Sequence, residues 1–223
     1  PLTFSQQRLW FLDMLKPGNT NYSIPGAIRI SGKIDSEILQ KTVSKIVSRH
    51  ETLRSVFGQE QGKPVLKIQP AVDIPVQRID LLNAESKRRN SDVQDLLLNE
   101  VKKPFDLATG PLLRIVHIQI SKEESIFFFN MHHIISDGWS LTVIIKEFAE
   151  IYSALLENRT FELDDLKIQY VDFAAWQQEW FSANRLEQQL GFWKNAIGIN
   201  PAVLELPADR PRRDHRGRCS VGF

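Results

Sequence analysis

The sequence predicts an α/β fold built on a mixed sheet, on three observations. Two apolar runs rich in β-formers, LLRIVHIQI (112–120) and SIFFFNMHH (125–133), are joined through SKEE, which signals a hairpin. Behind Asp35 lies an amphipathic helix whose apolar residues Ile38, Leu39, Val43, Ile46 and Val47 recur at helical spacing. Helical stretches also separate the strand-like runs, so crossovers that pair strands in parallel are available beside the hairpin.

The first helix carries Leu9, Trp10, Leu12 and Leu15, with Thr3 or Ser5 as its cap and Pro17-Gly18 as its stop. Tyr22–Ser31 reads as a strand closed by Gly32. The Asp35-capped helix is followed by short strand-like runs at LRSVF (53–57), PVLKI (64–68) and VDIPVQRI (72–79). A polar stretch at 83–91 leads into a helix around DVQDLLLNEV, and the hairpin comes next. One long helix is expected from about Gly138 to Glu157. A second, Trp-rich one is expected over Val171–Ile197, with Trp176, Trp180 and Trp193. The end, 206–223, is a Pro- and Arg-rich segment.

The chain of 223 residues is 42% hydrophobic and 25% charged, which excludes wholesale disorder and collagen-like repeats. No apolar run approaches the roughly 20 residues that cross a bilayer, and the N-terminus lacks a signal peptide's basic region. The absence of an initiator Met suggests a piece of a longer chain. Cys219, the single cysteine, excludes an internal disulfide and fits a reducing compartment, so a cytoplasmic protein is expected. Net charge is +1, with +4 concentrated in RPRRDHRGR (210–218). That distribution describes a basic tail and not a nucleic-acid groove.

The segment MHHIISDGWS (131–140) carries the chemistry. Side chains alternate along a strand, so His132 and His133 should face opposite ways, one toward packed protein and the other toward a cavity. Asp137 stands where a helix cap belongs, and the following helix start offers N–H groups to a developing oxyanion. A base beside such a start is what acyl transfer requires. The same residues also suit a core histidine and a simple cap, and the residues alone leave both readings open. Divergent strand histidines with no CxxC or HExxH nearby argue against a metal site. There is no G-x-S-x-G elbow and no Gly-rich phosphate loop.

Four stretches, in order, carry a resemblance. MHHIISDGWS resembles the HHxxxDG signature of nonribosomal peptide synthetase condensation domains. FSQQRLWFL (4–12), RHETLRSVF (49–57) and YVDFAAWQ (170–177) resemble that family's first, second and fourth motifs. The Trp-Ser after Asp-Gly looks like the subtype that joins L-residues. The resemblance implies a chloramphenicol acetyltransferase-like lobe, a mixed β-sheet packed with long helices. Residues 1–205 would form the N-terminal lobe, and 206–223 a basic linker that begins the crossover to a C-terminal lobe outside this chain.

By the same resemblance, the reaction is amide formation between two thioesters. Donor and acceptor peptidyl carrier proteins present the acyl groups on their own phosphopantetheine, so the domain binds no cofactor. Adjacent synthetase domains and the C-terminal lobe are the other implied partners, with no nucleic acid and no membrane. His133 would contact the attacking amine. His132 would orient the loop, and Asp137 would hold the motif together, with Arg49 and Arg54 as candidate ion-pair partners. Gly138, Trp139 and Ser140 would border the substrate tunnel. Trp10, Phe173 and Trp176 read as core residues despite lying in motifs. This chain alone is expected to be inactive. The competing readings are an ester-forming HxxxD-type acyltransferase and a non-catalytic carrier-docking domain.

Overall fold

The computed structural model describes residues 1–82, 89–181 and 183–198. It divides into two units, residues 1–175 and 176–223. The lobe expected over 1–205 therefore spans both, and the basic segment 206–223 lies outside the described residues.

Unit one opens with helix α1 (Phe4–Leu15), closed at its start by a capping box. Thr3 Oγ1 accepts the Gln6 N–H, while Gln6 Oε1 accepts the Thr3 N–H. Strand β1 (Ser23–Ser31) and helix α2 (Ser36–Arg49) follow, and the Asp35 carboxylate caps α2 through the N–H groups of Glu37 and Ile38. The run expected as a strand at 53–57 begins differently, because Glu51–Arg54 forms a 3₁₀ turn before strand β2 (Ser55–Glu60). A two-residue turn with positive φ at Gln61 (50°) and Gly62 (77°) joins β2 to β3 (Lys63–Ile68), as hairpin twist demands.

Strand β4 is shorter than the 72–79 run and covers only Val76–Asp80. Pro75 has no N–H to give a ladder, and pairing starts immediately after it. Helix α3 (Arg89–Lys102), the hairpin β5 (Leu113–Ser121)–β6 (Glu124–His132) and the long helix α4 (Gly138–Leu156) complete the framework. The main sheet has order β1-β6-β5-β4. Its β1–β6 and β5–β6 pairs are antiparallel and β4–β5 is parallel, so it is mixed as expected.

Helices cover both faces of this sheet, which explains the nearly continuous apolar run of β6. Phe127, Phe129 and Met131 join the larger core with Leu39, Val43 and Val47 of α2 and Ile151 of α4. The alternate residues Ile126 and Phe128 pack with Val116, Ile118 and the α3 residues Val93 and Leu97. Gly26 is required where β1 passes Phe129, because a Cβ there would lie 2.2 Å from the ring.

The expected single helix over 171–197 is two helices, α5 (Tyr170–Trp180) and α6 (Ala183–Ile197). In unit two, Arg185 bonds back to the Trp180 carbonyl at 3.5 Å and its guanidinium stands over the Trp180 ring, satisfying the end of α5. Trp10 is buried as expected, whereas Phe173 and Trp176 are exposed.

Candidate active site

The turn between β6 and α4 places the two histidines in opposite environments. The backbone of β6 ends with His132 N–H bonded to the Leu112 carbonyl, and His133 N–H is bonded to the Tyr22 carbonyl. His132 is 2% exposed, with the Phe105 ring edge-on at 6.1 Å. Its Nδ1 accepts the Ile134 N–H at 3.1 Å, so its proton sits on Nε2. Burial, helped by neighbouring His133, pushes its pKa down to about 4 and keeps it neutral.

His133 is exposed, and its Nδ1 lies 2.8 Å from the Ser136 carbonyl. A carbonyl only accepts, so Nδ1 carries a proton, and in the neutral ring Nε2 keeps a free lone pair. Among the described residues, Nε2 has no hydrogen-bond partner. His133 lines an opening of about 370 Å³ together with Gln6, Arg8, Tyr22, Asp137 and Tyr170. A larger apolar cavity of about 430 Å³, between the sheet and helices α2 and α4, contains none of the candidate residues.

Three successive carbonyls of the turn each receive a side-chain donor. Gln6 Nε2 donates to Ile134 O at 3.1 Å, Thr52 Oγ1 to Ile135 O at 3.2 Å, and His133 Nδ1 to Ser136 O. Ser136 Oγ in turn donates to His132 O. Gln6 and Thr52 were not singled out by sequence. The T-x-x-Q spacing at Thr3 and Gln6 marks a capping box, but nothing local reports a contact 128 residues away.

Asp137 caps α4 through a capping box with Ser140, accepting its N–H at 2.8 Å and its hydroxyl at 2.6 Å. These bonds, hydroxyl first, hold the Asp137 carboxyl below its ordinary pKa, and the Trp139 N–H assists. The carboxylate thus occupies the N–H groups expected to serve an oxyanion. The helix start here binds its own cap.

The expected ion pair of Asp137 with Arg49 or Arg54 does not form. Arg49 pairs through Nε with buried Glu147 at 3.1 Å and also donates to the Asp164 carbonyl. Glu147 accepts from His50 Nε2 at 2.6 Å on its other oxygen. Arg54 donates to the carbonyls of Val47, Ser48 and Gln69, closing the end of α2. Both arginines brace α2, because a carboxylate already satisfied by a helix start gains little from a distant cation. Gly138 has open space where a Cβ would stand, and Trp139 is 79% exposed. Ser140 borders the opening, but Gly138 and Trp139 are outside its lining. Among the described residues, no three His, Cys, Asp or Glu side chains are grouped to hold a metal ion, and no helix is long and apolar enough to cross a membrane.

A family model described as the condensation domain matches residues 1–219. One of the proteins that make up the linear gramicidin synthase of Brevibacillus parabrevis is 41% identical over 220 residues, which cover 97% of this chain and 3% of that protein. Phosphinothricin tripeptide synthetase PhsC of Streptomyces viridochromogenes is 34% identical over 95% of this chain and 20% of its own length. Among solved structures, the starter condensation domain of rhizomide synthetase RzmA superposes with a TM-score of 0.79 at 21% identity. That match covers 90% of this chain and 48% of the other. SgcC5 of Streptomyces globisporus matches with a TM-score of 0.72 at 30% identity, over 88% and 46%. The fold shared with the RzmA condensation domain is the chloramphenicol acetyltransferase-like lobe that the sequence motifs implied. The chain spans about half the length of the matched solved chains and a small part of the synthetases.

Proposed function

Since the chain belongs to the condensation-domain family, we propose that it supplies the catalytic imidazole for amide-bond formation between two carrier-bound thioesters. The acceptor's α-amine attacks the donor carbonyl. The new C–N bond forms as the C–S bond to the donor pantetheine breaks, and the amine proton leaves with His133 or the departing thiolate. One observation carries this reading: His133 is pinned through Nδ1 and presents Nε2 to an open, partly polar space.

That lone pair is oriented to accept the amine's N–H as attack begins. An α-amino group with a pKa of about 7.7–8.0 is already partly neutral near pH 7. Orientation of the amine and receipt of its proton in the tetrahedral state are therefore the contributions asked of His133. Buried His132 is held neutral beneath it. Asp137 and Ser140 fix where the helix begins, and so where the turn ends. Donor and acceptor carrier proteins are the partners this chemistry needs, with the pantetheine arms belonging to them as substrate.

In the complete synthetase, His133→Ala is expected to lower product formation from loaded carriers by about 10²-fold or more, the usual worth of a positioned acid–base group. The melting temperature should fall only modestly, because an exposed ring gives up little packing while the Ser136 carbonyl loses its side-chain donor. Near-normal turnover by the variant would remove His133 from the mechanism. The 223 residues alone should yield no condensation product when given both loaded carriers, since they span only 48% of the matched starter-domain structure. Product formation would show that one lobe suffices.

A further inference from the structure

We infer that Gln6 is a positioning residue for His133, an assignment that rests on the reading of His133 given above. Its side chain is 2% exposed and uses both ends of the amide: Oε1 accepts the Thr3 N–H at 3.0 Å, and Nε2 donates to the Ile134 carbonyl at 3.1 Å. The first bond is a helix cap that glutamate makes equally well, because a capping box needs only an acceptor at this position. The second needs a donor, and only the amide supplies both.

The donor lands on the catalytic turn, where three successive carbonyls each receive one side-chain donor. Ile134, Ile135 and Ser136 are buried, so their carbonyls need partners from within the protein. Gln6 takes the first, Thr52 the second, and the His133 ring itself binds the third. The Ile134 carbonyl sets the peptide plane leading into Ile135, and Ile135 leads to the carbonyl that fixes His133 Nδ1. Releasing Ile134 O lets that plane rotate and moves the anchor of the imidazole. Misplacement of a reacting group by about 1 Å is enough to cost about 10²-fold in rate.

Gln6→Glu in the complete synthetase separates the two bonds. It keeps the acceptor for the Thr3 N–H and sets a carboxylate against the Ile134 carbonyl. The expected result is a kcat at least about tenfold lower, with KM for the loaded acceptor carrier unchanged and the melting temperature nearly kept. The variant-to-wild-type ratio of kcat should rise as the pH falls, because a protonated carboxyl regains a donor. Thr3→Ala, which loses the hydroxyl half of the cap, should lower the melting temperature and leave kcat alone.

Should the buried carboxylate unfold the protein, Gln6→Met removes the donor without adding charge and carries the same expected loss of kcat. Wild-type kcat at every pH in Gln6→Glu, or an equal loss in Thr3→Ala, overturns the assignment. Nitrogen-15 NMR of labelled histidine gives a readout independent of turnover: His133 carries its proton on Nδ1 in the wild type and shifts toward Nε2 in Gln6→Glu. If His133→Ala proved active, the reading of the site would fail, and this tautomer measurement alone would decide whether Gln6 positions the ring. An unshifted tautomer would refute it.

Discussion

Two parts of one sheet handle buried imidazole in opposite ways. At the end of β6, Nδ1 of each histidine has a partner, a donor for one ring and an acceptor for the other, and the two neighbouring histidines take opposite tautomers as a result. In the middle of β5, His117 is 1% exposed, and neither of its ring nitrogens meets a hydrogen-bond partner among the described residues. Nearby Ser125 Oγ is in the same state. Burial, with Arg78 opposite it in the parallel ladder, lowers the pKa of His117 and keeps it uncharged. An imidazole becomes chemically useful when one nitrogen is fixed and the other is left open. Burial by itself produces only a neutral ring.

The largest expected difference between the two regions is kinetic. His133→Ala should cost about 10²-fold or more in turnover, whereas His117→Leu should leave turnover of the complete synthetase unchanged. A loss at His117 comparable to that at His133 would break the contrast.

Acid should separate the regions next. The pKa of His132 falls from an ordinary 6.5 to about 4 in the folded chain, so the unfolded state binds more protons through that range. The stability from keeping His132 neutral is complete above pH 6.5 and is lost as the pH falls toward 4. By the linkage relation this amounts to on the order of 2–3 kcal/mol near pH 4.5, and His117 adds to it in the same sense. Urea unfolding at pH 7.5 and 4.5 measures it, and a flat profile would show that His132 is not held neutral by the fold.

The smallest effect is the stability of His117→Leu. Replacing an unpartnered buried polar ring with an apolar side chain of similar reach should stabilise the protein by about 1–2 kcal/mol. Destabilisation instead would mean that the His117 ring makes bonds its surroundings do not reveal.

Much of the framework was legible because its signals are local. Thr3, Asp35 and Asp137 are caps whose partners lie two or three residues ahead, and the apolar spacing after Asp35 marks the face of α2 that is buried. The break between α5 and α6 was not legible, because Gln- and Glu-rich sequence on both sides of residue 182 is equally good helix. The site was half legible. Alternation separated His132 from His133 correctly, but the proposed arginine partners of Asp137 were misplaced, because a charge names a kind of partner and not its location.

The sequence by itself determined where helices start, which strand residues are apolar, and that two adjacent histidines precede a capped helix. Those properties depend on neighbours within about one turn or one pleat. Only the tertiary structure decided that β4 runs parallel beside β5, that Arg49 meets Glu147, and that Gln6 reaches the Ile134 carbonyl across 128 residues. Such contacts form when separately ordered elements pack together, and their partners share no local pattern along the chain.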